Sequence, residues 1–146
     1  MMRRLTVCVL VVGIAACCAA FEETVETLKA RFEGAAPDAR AEIGVRIAQG
    51  QLHAADESYK QGHVDEARAA VDDVVTYAEK ARDGAIEANK HEKNVEIAAR
   101  KMADRLRDIK RTLAFEDQAP VEKAIRRLED VRTSLLDDMF KKKEKK

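Results

Sequence analysis

Cysteines are the residues of this chain with the most versatile chemistry, and all three lie near its start. They are Cys8, Cys17 and Cys18, and no cysteine follows them. Because Cys17 and Cys18 are adjacent and close an apolar segment, we interpret them as parts of a processing signal and not as a redox pair. A domain that begins after them has no internal disulfide, no thiol nucleophile and no cysteine-ligated metal site.

Histidines and acidic residues show no spacing that is typical of a catalytic or metal site. Metal-binding helical bundles place a Glu three residues before a His, but Gly50, Lys60 and Ala88 stand at that distance before the three histidines. The chain also lacks His-Glu-x-x-His, a glycine-rich phosphate loop and Gly-x-Ser-x-Gly. The sequence therefore predicts a protein that is not an enzyme, with no catalytic residues, no metal site and no cofactor.

Basic residues concentrate in one segment with a helical pattern. Such a helix predicts contact with an anionic partner: a lipid headgroup, an acidic polymer of the cell envelope or a protein. The other interpretation is ion pairing with neighbouring acids at helical spacing, among them Asp104 and Asp108. The candidate residues for the anionic partner are Arg100, Lys101, Arg105, Arg107, Lys110 and Arg111.

The overall charge argues against nucleic acid as a partner. Lys and Arg together number 27, and so do Asp and Glu. The chain therefore has no net positive field that would attract a polyanion. We expect no nucleic-acid partner.

The first twenty residues have the three parts of an export signal. Arg3 and Arg4 form a positive head, residues 5–16 are uncharged and mostly apolar, and small residues close the segment. The apolar run is shorter than the roughly 20 residues that a membrane span needs. We expect residues 1–20 to be removed and the protein to act in the periplasm or the cell envelope.

Two processing sites remain open. Small side chains precede the bond between Ala20 and Phe21, as a signal peptidase requires. Residues 14–17 (IAAC) instead resemble the bacterial lipobox. That resemblance implies removal of residues 1–16 and a lipid on Cys17.

Apolar residues recur at intervals of three and four over most of the remaining chain, which predicts amphipathic helices. The 37% of charged residues and 4% of aromatic residues are typical of long helices packed by aliphatic side chains. We expect an all-α fold: a short helix over residues 21–33, then about four main helices in an antiparallel bundle. The last helix begins at Pro120 and ends near Phe140, so that the domain covers residues 21–140. Its apolar stripe is Val121, Ala124, Leu128, Val131 and Leu135.

The chain ends in a Lys-rich tail, residues 141–146 (KKKEKK). This segment has no apolar side chain to bury, so we expect it to be disordered and solubilising. Its charge would also favour contact with an anionic membrane surface.

A polar hexapeptide, residues 89–94 (NKHEKN), interrupts the helical pattern. A turn there gives four main helices. Without a turn, one helix over residues 64–114 would be on the order of 75 Å long, and half of it could not pack on its neighbours. Both interpretations remain open, and the two Asn residues favour the turn.

Residues 59–67 (YKQGHVDEA) resemble the turn between the two helices of a tetratricopeptide repeat. Tyr59 and Gly62 match the Tyr-x-x-Gly that ends the first helix of that family, and Ala67 is the small residue of the second. The resemblance covers about residues 47–79 and implies one helical hairpin. It implies no peptide-binding groove, because no second copy follows about 34 residues later.

The whole chain is similar to small exported bacterial helical proteins of unassigned function. We therefore expect a non-catalytic protein–protein interaction or structural module of the cell envelope, whose partner is another protein or a second copy. The alternative is a lipid-anchored envelope protein that binds anionic lipid or a cell-wall polymer through residues 100–111 and the Lys tail. In that case the anchor or the tail contacts the membrane surface.

Overall fold

Helices make up almost all of the chain that the structure describes. The computed structural model describes residues 23–145, so Cys17, Ala20 and Phe21 of the two predicted processing sites lie outside it. Within this range the chain forms five helices and no strand. The prediction of an all-α bundle with a short first helix and four main helices is confirmed. The helices are α1 (Val25–Glu33), α2 (Pro37–Lys60), α3 (Val64–Ala88), α4 (Glu92–Thr112) and α5 (Phe115–Glu144).

The polar segment after α3 contains a turn. Asn89 adopts the left-handed conformation with φ 53°, and its N–H donates to the Ile86 carbonyl at 3.2 Å. The next N–H, of Lys90, donates to the Ala85 carbonyl at 3.1 Å. These two bonds form the motif that commonly ends a helix at Gly or Asn. The interpretation with a turn is therefore confirmed, and the one with a continuous helix is wrong.

The first and last helices begin elsewhere than predicted. α1 starts at Val25 because the Thr24 hydroxyl accepts the Thr27 N–H at 3.2 Å and caps the helix. α5 starts at Phe115, so Pro120 lies inside the helix. Proline removes one intrahelical hydrogen bond there, yet its fixed φ remains compatible with a helix.

The C-terminal tail continues the last helix. α5 extends to Glu144 instead of ending near Phe140. Lys142 explains the extension because its ammonium group pairs with both Asp138 of the same helix and Glu92 of α4. The expectation of a disordered tail is therefore wrong for residues 141–144.

Two antiparallel hairpins lie side by side. α2 packs against α3, and α4 packs against α5. Ion pairs between the hairpins join residues 48 or 49 positions apart in sequence. Because this separation is nearly constant along the helices, α3 runs parallel to α5 and α2 runs parallel to α4. The pairs are Arg68–Asp117 and Glu79–Arg127 between α3 and α5, and Glu42–His91 and Asp56–Arg105 between α2 and α4.

This parallel arrangement gives the bundle two different ends. The α2–α3 turn (residues 61–63) and the α4–α5 turn (residues 113–114) lie at the same end, which we name the turn end. The α3–α4 turn (residues 89–91) and the last turn of α5 (residues 141–145) lie at the other, which we name the tail end.

Small residues let α2 and α3 pack closely. A Cβ added at Gly84 of α3 would lie 2.6 Å from the Pro37 carbonyl oxygen, and one at Gly44 of α2 would lie 3.0 Å from the Tyr77 carbonyl oxygen. The two backbones therefore approach each other more closely than larger side chains allow. The alanines of these helices that have no exposed surface are Ala41, Ala48, Ala55, Ala67, Ala78, Ala81 and Ala85.

The short helix α1 runs antiparallel to α2. Phe32 near its end packs edge-on against Tyr77 of α3, with ring centroids 5.5 Å apart. Near its start, the Val25 side chain lies against Gly50, and Glu23 pairs with Arg46 at 2.9 Å. The described chain therefore begins beside the middle of α2.

We expect Gly84→Ala to lower the free energy of unfolding by about 1–2 kcal/mol. Alanine favours a helix by about 1 kcal/mol. Its methyl group, however, would meet the Pro37 carbonyl oxygen and force α2 and α3 apart, which costs about 2–3 kcal/mol, the upper part of the range for an overpacked core. Urea denaturation monitored by circular dichroism measures the change. Gly34→Ala is the matched control, because nothing lies within 4 Å of a Cβ there. An unchanged urea midpoint for Gly84→Ala would show that the contact between α2 and α3 is not close-packed.

Candidate functional site

The three residues predicted for the hairpin turn lie together at the turn end. Gly62 has φ 81°, the left-handed conformation that glycine adopts without steric cost. Its N–H donates to the Tyr59 carbonyl at 3.1 Å, and the His63 N–H donates to the Ser58 carbonyl at 2.9 Å. Tyr59 is half-buried, and Ala67 is fully buried at the start of α3. These contacts define a tight turn that fixes the angle between the two helices.

A cleft of about 400 Å³ opens at the turn end between the last turns of α2 and α4. One wall is polar: the Asp56 carboxylate accepts from Lys60 at 2.9 Å and from Arg105 at 2.8 Å. Tyr59, Ile109 and Leu113 supply apolar surface. The remaining lining residues are Asp108 and Thr112.

Two basic partners stabilise the ionised form of Asp56. Partial burial acts to raise the pKa of its carboxyl, but the hydrogen bonds from Lys60 and Arg105 outweigh that effect. The pKa of Asp56 therefore lies below its ordinary value of 3.8. Burial also raises the pKa of the Tyr59 hydroxyl, so this group stays neutral beside the ion pairs.

Phe115 is the most conspicuous side chain at the turn end because 88% of its surface is exposed. It is the first residue of α5 and follows Leu113, which lines the cleft, by two positions. Carboxylates surround this end of the bundle, and Asp65, Glu66 and Glu116 are all exposed. The turn end thus combines an exposed aromatic ring, an adjacent cleft and acidic side chains.

The six predicted anion-binding residues of α4 lie in two different environments. Arg100 and Lys101 are exposed, and no carboxylate of residues 23–145 lies within 4.0 Å of either. The other four are paired with acids. The pairs are Arg105–Asp56 at 2.8 Å, Arg107–Asp104 at 2.6 Å, Arg107–Glu129 at 2.6 Å, Lys110–Glu122 at 3.3 Å and Arg111–Asp108 at 2.9 Å.

The Arg107–Glu129 pair joins α4 to α5. The hydrogen bond between Arg107 and Glu129 is the main cause of the raised pKa of the Arg107 guanidinium. Glu129 also accepts from Arg132 at 2.7 Å, and its pKa is lowered because these two hydrogen bonds outweigh the effect of partial burial. Of the six candidates, four bind carboxylates of the bundle itself, and Arg100 and Lys101 are exposed without such a partner among residues 23–145.

The part of the chain that the structure describes contains neither a metal-binding cluster nor a membrane-spanning helix. Among residues 23–145, no three His, Cys, Asp or Glu side chains are grouped so that they could hold a metal ion. In the same range, none of the helices combines the length and apolar character needed to cross a bilayer.

Comparisons of the chain with models of protein families, with curated proteins and with solved structures find no match.

Sequence patterns did not single out Phe115 as a candidate site residue. It lies in a stretch where no helix was predicted, outside the apolar stripe of α5. The sequence feature that could have indicated it is an aromatic residue between two segments with helical periodicity. An unburied aromatic side chain at a helix start has no packing role there.

We expect Asp56→Asn to lower the free energy of unfolding by about 1 kcal/mol near neutral pH, because the amide loses the charge-assisted hydrogen bonds to two partly exposed cations. The folded-state pKa of Asp56 is below 3.8, so its contribution is complete above that value and disappears as the pH falls through the folded-state pKa.

Urea denaturation at a series of pH values measures this effect, and the curves of wild type and variant should converge in acid. Asp65→Asn is the control, because the Asp65 side chain is fully exposed. A difference between wild type and Asp56→Asn that persists unchanged into strong acid would contradict the expectation.

Proposed function

We propose that this chain is an exported, non-catalytic helical protein of the periplasm or cell envelope that binds another protein or a second copy of itself through its turn end. The observation that carries the proposal is the exposed ring of Phe115 beside the cleft of Tyr59, Ile109 and Leu113. Exposed aromatic side chains next to apolar clefts are typical anchors of protein–protein contacts.

The rigidity of the turn end supports this role. Gly62 and its two backbone hydrogen bonds fix the α2–α3 turn, while Asp56 ties α2 to α4 through Arg105. A surface that is already ordered loses little conformational entropy on binding.

Export is the second part of the proposal and rests on the sequence. The positive head, the apolar run and the small residues before Phe21 favour cleavage after Ala20. Lipidation of Cys17 is the alternative. The two outcomes lead to different products, a free protein or a membrane-anchored one.

We expect the exported protein to begin at Phe21 and to carry no lipid. Intact-mass spectrometry of the protein recovered from exporting bacterial cells tests this. Ala20→Phe should block cleavage, because the peptidase needs a small side chain there, whereas Cys17→Ala should leave the product unchanged. A lipidated N-terminal Cys17, lost in Cys17→Ala, would establish the alternative.

Binding of anionic lipid or a cell-wall polymer is the alternative function. The helix over residues 100–111 gives it limited support, because four of its six cations are paired with acids. The Lys-rich end of α5 supports it better, since Lys141, Lys143 and Lys145 are exposed on an ordered helix.

A photo-reactive residue placed at Phe115 tests the turn end as an interaction surface. In cells that export the protein, we expect illumination to give one discrete adduct, because Phe115 would lie inside the interface. The adduct's mass distinguishes a second copy of the chain from a different protein.

The matched control carries the same photo-reactive residue at Lys123, which is exposed on the side of α5. Loss of the Phe115 adduct when the partly exposed Leu113 is replaced by Ala, in a variant whose helices are shown intact by circular dichroism, would assign the cleft to the same interface. Adducts of equal yield at both positions, or none at Phe115, would refute the proposal.

A further inference from the structure

The tail end of the bundle carries a group of free lysines. They belong to the α3–α4 turn, the first turn of α4 and the last turn of α5. Each is exposed, and none has a carboxylate within 4.0 Å among residues 23–145. Most cations along the sides of the bundle are paired, although Arg100, Lys101 and Lys123 are not. The group consists of Lys90, Lys93, Lys141, Lys143 and Lys145.

Three of the acids at this end are engaged by other side chains. Glu92 and Asp138 both bind Lys142, and Glu42 lies 3.5 Å from His91. Glu33 of α1 and Asp38 of α2 lie on helices that do not contact α5, although α2 contacts α4. The exposed carboxylates near the five lysines are Glu87, Asp137 and Glu144.

The last turn of α5 extends past the first residue of α4. Lys142 reaches Glu92, which is that first residue. Lys143 and Lys145 follow Lys142 at this end of α5.

An exposed aromatic ring lies among these lysines. Phe140 is 59% exposed, and the Lys143 ammonium group lies 5.7 Å from its ring centroid. A soluble polyanion would use the charges but would gain little from the ring. A bilayer uses both, because an aromatic side chain enters the headgroup boundary while lysines remain at the anionic surface.

We propose that the tail end docks on the surface of a bilayer that contains anionic lipid, with Phe140 entering the interface and the five lysines contacting headgroups. This inference deepens the alternative function, and it does not depend on the partner proposed for the turn end.

The start of the described chain is compatible with this orientation. Arg46, the partner of Glu23, lies about 14 Å along α2 from the tail end at 1.5 Å per residue. The six residues from Cys17 to Glu23 span at most about 20 Å when fully extended. A lipid on Cys17 could therefore reach the same membrane surface, and cleavage before Phe21 would leave attachment to the lysines and Phe140.

Single tryptophans test the proposal, because the chain has no Trp of its own. The full chain carries either Phe140→Trp or Phe115→Trp, two exposed positions at opposite ends of α5. The probes are vesicles of phosphatidylcholine with about one third phosphatidylglycerol, with and without bromine on the acyl chains. We expect a blue shift and bromine quenching for Phe140→Trp and neither for Phe115→Trp. Both variants keep residues 1–22, so any vesicle binding through that segment contributes equally to both.

Matched charge variants test the role of the lysines. In the Phe140→Trp background, Lys141→Gln, Lys143→Gln and Lys145→Gln together should lower the partition coefficient on the order of a hundredfold, at about 1 kcal/mol per lysine. Removing three exposed, unpaired cations from the sides, with Arg100→Gln, Lys101→Gln and Lys123→Gln, should change it far less. Circular dichroism verifies that both triple variants keep their helices.

Three outcomes would overturn the proposal. One is equal quenching of Phe140→Trp and Phe115→Trp, which would mean that the ends do not differ. Another is an equal loss for both triple variants, which would reflect net charge and not a located surface. The third is a Phe140→Trp emission that does not change with anionic vesicles but shifts when heparin is added. That result would mean that the lysines bind a soluble polyanion and not a bilayer. None of these outcomes bears on the Phe115 adduct, so the two proposals fail separately.

Discussion

The close approach of α2 and α3 is the constraint on which the rest of the bundle depends. Gly44 and Gly84 bring the two backbones to a distance that an added Cβ would prevent. α3 also contacts α4 and α5, so its position relative to α2 sets where the second hairpin can lie. In the second hairpin the fully buried side chains include Leu106, Leu128, Val131 and Leu135. Because interiors are densely packed, these side chains fit only one placement of that hairpin against α3.

The side-by-side hairpins also determine which surfaces remain available. Arg127 and Glu79 join α3 to α5, and Arg105 and Asp56 join α2 to α4. Partly exposed pairs of this kind contribute little to stability. Their larger consequence is that they occupy most of the cations on the sides of the bundle, although Arg100, Lys101 and Lys123 stay unpaired there. The ends, where the turns lie, keep the free lysines of the tail end and the exposed aromatic rings.

Features that depend on local sequence could be predicted. The apolar stripe of α5, from Val121 to Leu135, is buried as its spacing indicated, because helical periodicity alone decides which face packs. Gly62 ends the α2 hairpin for an equally local reason, its left-handed backbone. Within α4, Asp104 and Asp108 pair with cations three residues later, as their spacing suggested.

Features that depend on distant residues were not predictable in the same way. The tail is helical because Lys142 meets Glu92, 50 positions earlier, and no local pattern marks that contact. Arg105 was a candidate for an anionic partner, yet its carboxylate comes from Asp56 of another hairpin. The Asp56–Arg105 pairing follows from the parallel register of the two hairpins, whereas the Lys142–Glu92 pairing follows from the register of α5 against α4.

The two exposed phenylalanines mark the two opposite ends of the bundle. Among residues 23–145, Phe115 and Phe140 are the large apolar side chains that remain exposed, and they occupy opposite ends of one helix. At 1.5 Å per residue they are about 38 Å apart along α5. If Phe140 lies at a membrane surface, Phe115 is held far beyond the headgroups and faces away from them. A rigid helix with paired sides would then present the partner-binding end at a fixed height, which a flexible tether of the same length could not do.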